Sequence, residues 1–315
     1  MNFLKKVINI TIYIIIFAVL VVGILYITEY SPKPIEELKV IGSSSKKLKK
    51  GEEVTVVSFN LRGLVTTNNE GNNENLETEE VINANIEKVQ ELLKGNKPDI
   101  ILLQDVDYKS HRSDNINEYS EIAKIYEGTS SFATKYKTLF PYETEEIGRK
   151  IHSGQSILSK FECDSYRISL PIKNRFPLRI FFPRQCLQKQ IFKIEESDKS
   201  LIVINLDLEQ YDEEVRLKQL DYLKAEILEE YNKGNFVIAG GSFYMPLVNK
   251  EGVDSKNIPE YLELDEWQYK SFEDEGIITN GYIISPNVTI NKIEELDCEC
   301  NVENHKALAI KIKLK

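Results

Sequence analysis

The sequence predicts an α/β domain preceded by one transmembrane helix, and three features carry that prediction. Residues 7–27, VINITIYIIIFAVLVVGILYI, contain no charge, and a helix of that length spans a hydrocarbon core about 30 Å thick. After residue 53, short apolar runs rich in β-branched residues recur and turn polar at one end. Between them lie stretches whose apolar residues fall at three- and four-residue spacing, the period of an amphipathic helix. The chain is 42% hydrophobic and 29% charged, which describes a folded globular protein rather than a disordered one.

Lys5 and Lys6 precede the apolar run and Glu29 follows it. The positive-inside bias puts residues 1–6 in the cytoplasm, residues 7–27 across the cell membrane, and everything after Tyr30 outside as a single-pass protein. A cleaved signal peptide fits less well, because the run exceeds an h-region and no small-x-small site precedes Pro32 and Pro34. Formal net charge is −10, and Lys5, Lys6 and Glu29 leave the first thirty residues at +1, so the remainder carries −11. Such a field repels a polyanion and argues against nucleic acid as a partner. Residues 28–52 include SPKP and GSSSKKLKKG, the composition of a flexible stalk with lysines near anionic head groups. No later linker divides residues 53–315, so one domain is expected there.

Within it, VTVVSFNL is a strand ending on Asn60. Thr78 caps a helix through about Leu93, with Val81, Ile82, Ile86, Val89 and Leu92 on one face and Gly95 closing it. PDIILLQDVD is apolar from Ile100 to Leu103 and then delivers Gln104, Asp105 and Asp107 to a sheet edge. A short helix starts near Asn117, and Ser156 to Ser159 form a strand. LIVINLDLEQ is a second buried strand turning polar, at Asn205 and Asp207. The next helix covers Glu213 to Tyr231, with Leu220, Leu223 and Ile227 inward and Gly234 at its end. NFVIAGGSFYMP then repeats the order helix, KGN, apolar strand, polar loop. Gly240 and Gly241 are expected to end its strand and admit a close approach to a ligand, with Ser242 and Tyr244 beyond; a tight turn capping a core strand is the alternative. GIITNGYIISPNV supplies a strand pair, and ENHKALAIKIKLK is a closing strand with Asn304 and His305 at its start.

Between Tyr166 and Ile194 there are seven basic residues and no acidic one. Two readings fit. Arg167, Lys173, Arg175, Arg179 and Arg184 could form an anion-binding or membrane-facing rim, or the stretch could be solvated strands over a stripe of Phe176, Phe181 and Phe182. Cys163, Cys186, Cys298 and Cys300 are too few and scattered for a disulfide framework and are expected as thiols. Cys298 and Cys300 with His305 match no strong zinc motif. His111 and His152 are expected at the surface.

Taken in order, the blocks VVSFNLRG, PDIILLQDVD, GQSILSK, LIVINLDLEQY, NFVIAGGSFY, GYIISPNV and ENHKA resemble the endonuclease/exonuclease/phosphatase superfamily over nearly all of residues 53–315, and specifically a membrane-anchored bacterial branch. The resemblance implies the DNase I-like fold, a four-layer α/β sandwich of two mixed sheets with helices outside. It also implies a phosphoester-hydrolase pocket at the strand ends, made here by Asn60, Asp105, Asn205, Asp207, Ser242, Tyr244, Asn304 and His305.

Several of those positions depart from the family's pattern. Asp105 stands where a metal-holding Glu is expected, still an oxygen ligand but one methylene shorter. Asp207 replaces the His of Asn-x-His, and its charge repels a phosphate unless a metal lies between them. Ser242 and Tyr244 replace the Asp and Asn of Gly-Asp-x-Asn, and a lone serine hydroxyl cannot act as the carboxylate base. Gly281 and Asn304 replace the two aspartates associated with the final histidine, so only Asn60 and His305 match. The expectation is a degenerate metal-dependent site in a membrane-anchored binding or scaffolding module, its partner a phosphate-bearing ligand, an anionic lipid or a protein. No cofactor is certain; Mg²⁺ or Mn²⁺ would sit between Asp105 and Asp207 if hydrolysis persists. The alternative is an active or repurposed phosphodiesterase or phosphatase acting on phospholipid head groups.

Overall fold

The computed structural model describes residues 2–66, 77–141, 150–246, 264–274, 277–300 and 306–315. It opens with α1 (Asn2–Thr28), whose most apolar 18-residue window has a mean hydropathy of 2.9 and is not buried by the rest of the chain. This helix is long and apolar enough to cross a membrane. Two short strands follow, β1 (Ile35–Glu37) and β2 (Ile41–Gly42), then β3 (Glu53–Asn60), α2 (Glu79–Asn96), β4 (Ile100–Asp107) and α3 (Glu118–Lys124). Next come β5 (Thr129–Thr138), β6 (Ile151–Ser159), β7 (Asp164–Ser169), β8 (Cys186–Lys193), β9 (Ser200–Asp207) and α4 (Glu213–Asn232). The chain closes through β10 (Phe236–Pro246), β11 (Gln268–Asp274), β12 (Ile277–Ile284), β13 (Val288–Leu296) and β14 (Ala307–Leu314).

The strands form two seven-stranded sheets, ordered β1-β7-β8-β9-β10-β12-β11 and β13-β14-β3-β4-β6-β5-β2. Val56, Leu102, Val203, Ile238, Tyr282 and Ile310 pack between them. Leu220, Leu223 and Ile227 of α4 cover the outer face of the first sheet. Ile82, Ile86 and Val89 of α2, with Ile122 of α3, cover the second. This is the expected four-layer α/β sandwich. Central strands buried on both faces are apolar throughout, which is why IILL and FVIA are continuous runs rather than alternating ones.

Each sheet contains one parallel pair joined through a helix: β3–α2–β4 in one and β9–α4–β10 in the other. The repeated helix, KGN, strand order is therefore one β–α–β unit used twice. Thr78 caps α2 as expected, but the helix continues past Gly95. Lys97, in the left-handed conformation at φ 47, ends it by donating its N–H to the Leu93 carbonyl, and Pro98 cannot continue it.

Other expectations need correction. Residues 28–52 are built into the domain rather than forming a flexible stalk: β1 pairs with β7, β2 pairs with β5, and Leu48 lies fully buried in the inter-sheet core. Composition misled because both sheets leave an edge open, and a polar segment can close an edge with backbone hydrogen bonds alone. The glycine pair does not end its strand either, since β10 runs on to Pro246. A Cβ on Gly241, at φ +143, would lie 1.9 Å from the Leu206 carbonyl oxygen, and one on Gly240 would lie 2.6 Å from the Tyr282 ring. These glycines admit neighbouring strands and a core tyrosine, not a ligand. Residues 277–284, expected to belong to a strand pair, form the single strand β12. Cys298 and Cys300 are joined by a disulfide with Cα atoms 5.1 Å apart; cysteines two residues apart need only a local turn, so the scarcity of other cysteines did not bear on them.

Candidate functional site

Three β-bulges build the site. The pairing register slips between Leu103 and Val106 in β4, between Thr134 and Tyr136 in β5, and between Ser242 and Met245 in β10. A bulge takes one residue out of the strand's alternation and re-aims its side chain. The residues re-aimed are Asp105 (φ 49), Lys135 and Tyr244 (φ 51). They converge on Asp207, the last residue of β9.

At their centre is the Lys135 ammonium, 2.5 Å from Asp207 Oδ2 and 3.2 Å from Asp105 Oδ1. The Arg112 guanidinium approaches Asp105 Oδ1 to 3.5 Å, held there by two hydrogen bonds of 2.9 Å to the buried Asp107 carboxylate. Burial favours the neutral form of Asp105, but Lys135 and Arg112 outweigh it and hold the carboxyl below its ordinary range. Burial likewise opposes charge on Lys135, and the two aspartates more than reverse that, leaving it well above the ordinary lysine value. For Asp207, burial raises the pKa against Lys135, and Asp105 adds to the rise. The group is an ion cluster closed on itself.

The other described positions are also internally satisfied. Asn60 donates from Nδ2 to Ser242 Oγ at 2.8 Å and to the Tyr244 hydroxyl at 3.1 Å, and its Oδ1 accepts the Arg62 N–H. Tyr244 also bonds Asp207. Burial and then Asp207 push its phenol upward, so it remains a neutral donor. Asn205 is a fully buried cross-link between the sheets: Nδ2 donates to the Leu103 and Ser156 carbonyls, and Oδ1 accepts from Gln104 Nε2 at 2.7 Å. It faces no ligand. Asn304 and His305 lie outside the described residues. Lys135 carried no usable signal in the sequence, because a lysine in an alternating strand is by default solvated and a bulge leaves no mark in residue type. His152, expected at the surface, is half-buried, stacked on Tyr108 with centroids 4.8 Å apart and bonded to Thr134 Oγ1.

The basic stretch divides. Arg167 is buried and structural, donating to the Thr134 and Arg184 carbonyls and to Ser169 Oγ, which removes it from any anion-binding rim. Arg179 and Arg184 both pair with Glu29, and Lys173 pairs with Asp212 at 2.6 Å. Arg175 is exposed.

A hard divalent cation takes oxygen ligands, with Mg²⁺ near octahedral at about 2.0–2.1 Å. The two carboxylates that would hold it already face an ammonium, and Asn60 presents its NH₂ to Ser242 and Tyr244. Among the described residues no group of three or more His, Cys, Asp or Glu side chains could hold a metal. The donor set that the described residues supply does not fit Mg²⁺ or Mn²⁺.

No protein-family model and no curated protein matches this sequence. Solved structures match the fold. An endonuclease/exonuclease/phosphatase from Beutenbergia cavernae is similar at a TM-score of 0.62 and 11% identity, covering 83% of this chain and 72% of that one. The mannosyl-6-phosphatase of Bacteroides thetaiotaomicron is similar at 0.53 and 10% identity, over 82% of this chain and 99% of that one. Truncated TDP2 from Caenorhabditis elegans is similar at 0.50 and 16%, over 84% and 99%.

Proposed function

We propose that this chain, which has the DNase I-like fold of endonuclease/exonuclease/phosphatase proteins, is a membrane-anchored binding or scaffolding module whose hydrolytic site no longer works. One observation carries the proposal: the Lys135 ammonium lies between Asp105 and Asp207, where the metal would have to sit. The chemistry agrees with it. Phosphoester hydrolysis needs charge neutralisation at the phosphate and an activated water. Ser242 and Tyr244 are buried or neutral hydroxyls bonded to Asn60, and neither is a base near neutral pH. Lys5 and Lys6, in the first turns of α1 and ahead of its apolar run, support a cytoplasmic N-terminus and an extracytoplasmic domain.

The competing reading is a phosphoester hydrolase, and the phosphatase among the fold neighbours keeps it in play. It requires Lys135 to swing aside for a cation. The test is hydrolysis of bis(p-nitrophenyl) phosphate by the purified full-length protein in detergent, with Mg²⁺ or Mn²⁺, beside calorimetric titration of Mn²⁺. No turnover and no Mn²⁺ binding are expected. Metal-dependent turnover that disappears in Asp105→Ala would overturn the proposal.

A further inference from the structure

The domain is clamped to the end of its own helix. Glu29, one residue past α1, has a side chain only 3% exposed; it is ion-paired with Arg179, whose Nη2 donates to it at 3.2 Å, and accepts from Arg184 Nη2. Tyr30 donates its hydroxyl to the Thr134 carbonyl and lies under the Arg167 guanidinium. Inside α1, the Tyr26 ring meets Phe176 edge-on with centroids 5.9 Å apart. The turn around residues 175–181 is therefore level with the last turn of the helix, not somewhere out in the solvent.

That level can be placed. The 27 residues of α1 give a length of about 40 Å, more than a hydrocarbon core of about 30 Å, so its last turn falls among the head groups. Tyr26, 68% exposed, stands where interfacial aromatic residues are found. Beside it the turn presents Leu178, 59% exposed, together with exposed Arg175 and Pro177. An exposed leucine flanked by a basic residue at head-group depth suits a lipid surface better than water. Glu29 would be repelled by anionic head groups, and pairing it with two arginines removes that conflict.

We propose that the turn at residues 175–181 is a membrane lip, with Leu178 and Phe176 seated in the interface of the leaflet from which α1 emerges and Arg175 facing lipid phosphates. The lip and α1 together hold the domain in one orientation against the bilayer, which a single helix on a flexible stalk could not do. The inference rests on α1 crossing the membrane but not on whether the pocket is active.

The test places a nitroxide label at Leu178→Cys in the full-length protein, in a Cys163→Ser background, reconstituted into phosphatidylcholine vesicles with and without phosphatidylglycerol. Matching labels at Leu20→Cys and Lys199→Cys report the bilayer core and open solvent. Collision with oxygen relative to a water-soluble nickel chelate is expected to be high at 20, intermediate at 178 and low at 199. Glu29→Gln should move the 178 label toward the solvent value while leaving 20 unchanged. If 178 matches 199 while 20 remains in lipid, the lip is wrong and the anchor survives; if 20 also matches 199, both fall.

Discussion

The two β–α–β units share a backbone plan and differ in what their strand ends carry. In β3–α2–β4 the ends supply Asn60, Gln104 and Asp105; in β9–α4–β10 they supply Asn205, Asp207, Ser242 and Tyr244. Each has a bulge near the end of its second strand, and each strand is packed through the same inter-sheet core. The first unit keeps a carboxylate at its bulge, whereas the second places a tyrosine there. The cation that balances them belongs to neither unit, since Lys135 comes from the hairpin strand β5. Apolar positions inside the strands specify the frame, and residues at the edges specify the chemistry. The second set can change while the first stands.

The sharpest way to break this comparison is to remove the shared cation. Lys135→Met leaves Asp207 without a cation and Asp105 with Arg112 alone, and breaking a buried pair this way costs roughly 3–5 kcal/mol. Urea unfolding at pH 7 should read that loss, and adding Asp207→Asn should recover most of it. The deficit should shrink in acid as the carboxyls protonate. A cost under about 1 kcal/mol, the range of exposed pairs, would mean that the ammonium does not join the two units.

Equivalence of the frames is tested next. Leu102→Ala in the first unit and Ile238→Ala in the second remove fully buried side chains from the same core, and each should cost about 2–5 kcal/mol by the same unfolding measurement. A large cost in one unit only would show that the repeat is one of outline and not of packing.

Tyr244→Phe acts on the hydroxyl that joins Asn60 to Asp207, and an unsatisfied buried polar group is worth about 1–3 kcal/mol. The matching Asn60→Ala should be less than additive with it, because both remove the same bond.

The last effect is pH-dependent and lies on β6, an inner strand of the first unit's sheet. Burial, followed by Lys137 and Lys150, lowers the His152 pKa from about 6.5 to about 4. The unfolded chain therefore takes up a proton that the folded one refuses. Stability from this group is present above about pH 6.5 and lost as pH falls toward 4. His152→Gln should flatten that part of the stability–pH curve, and an unchanged slope would place the titration elsewhere.

Much of the frame was legible from sequence. Periodicity located α2 and α4, continuous apolar runs located β4, β9 and β10, and the order of blocks implied the sandwich. The pocket was half legible: the strand ends did bring Asn60, Asp105, Asp207, Ser242 and Tyr244 together, but Asn205 is an inter-sheet staple and Lys135 was invisible. The five basic residues of the rim were grouped by proximity in sequence, yet alternation in β7 sends Arg167 inward, and Glu29 draws Arg179 and Arg184 to the helix exit.

By itself the sequence determined the apolar helix and the α/β frame, because both are written in residue type and local period. Tertiary structure alone decided that a lysine ammonium stands between the carboxylates, that residues 28–52 close sheet edges, and that Glu29 is clamped to the domain. Those outcomes depend on bulges, on open sheet edges and on pairs more than a hundred residues apart such as Glu29 and Arg184, and no local pattern encodes which distant groups a strand end will meet.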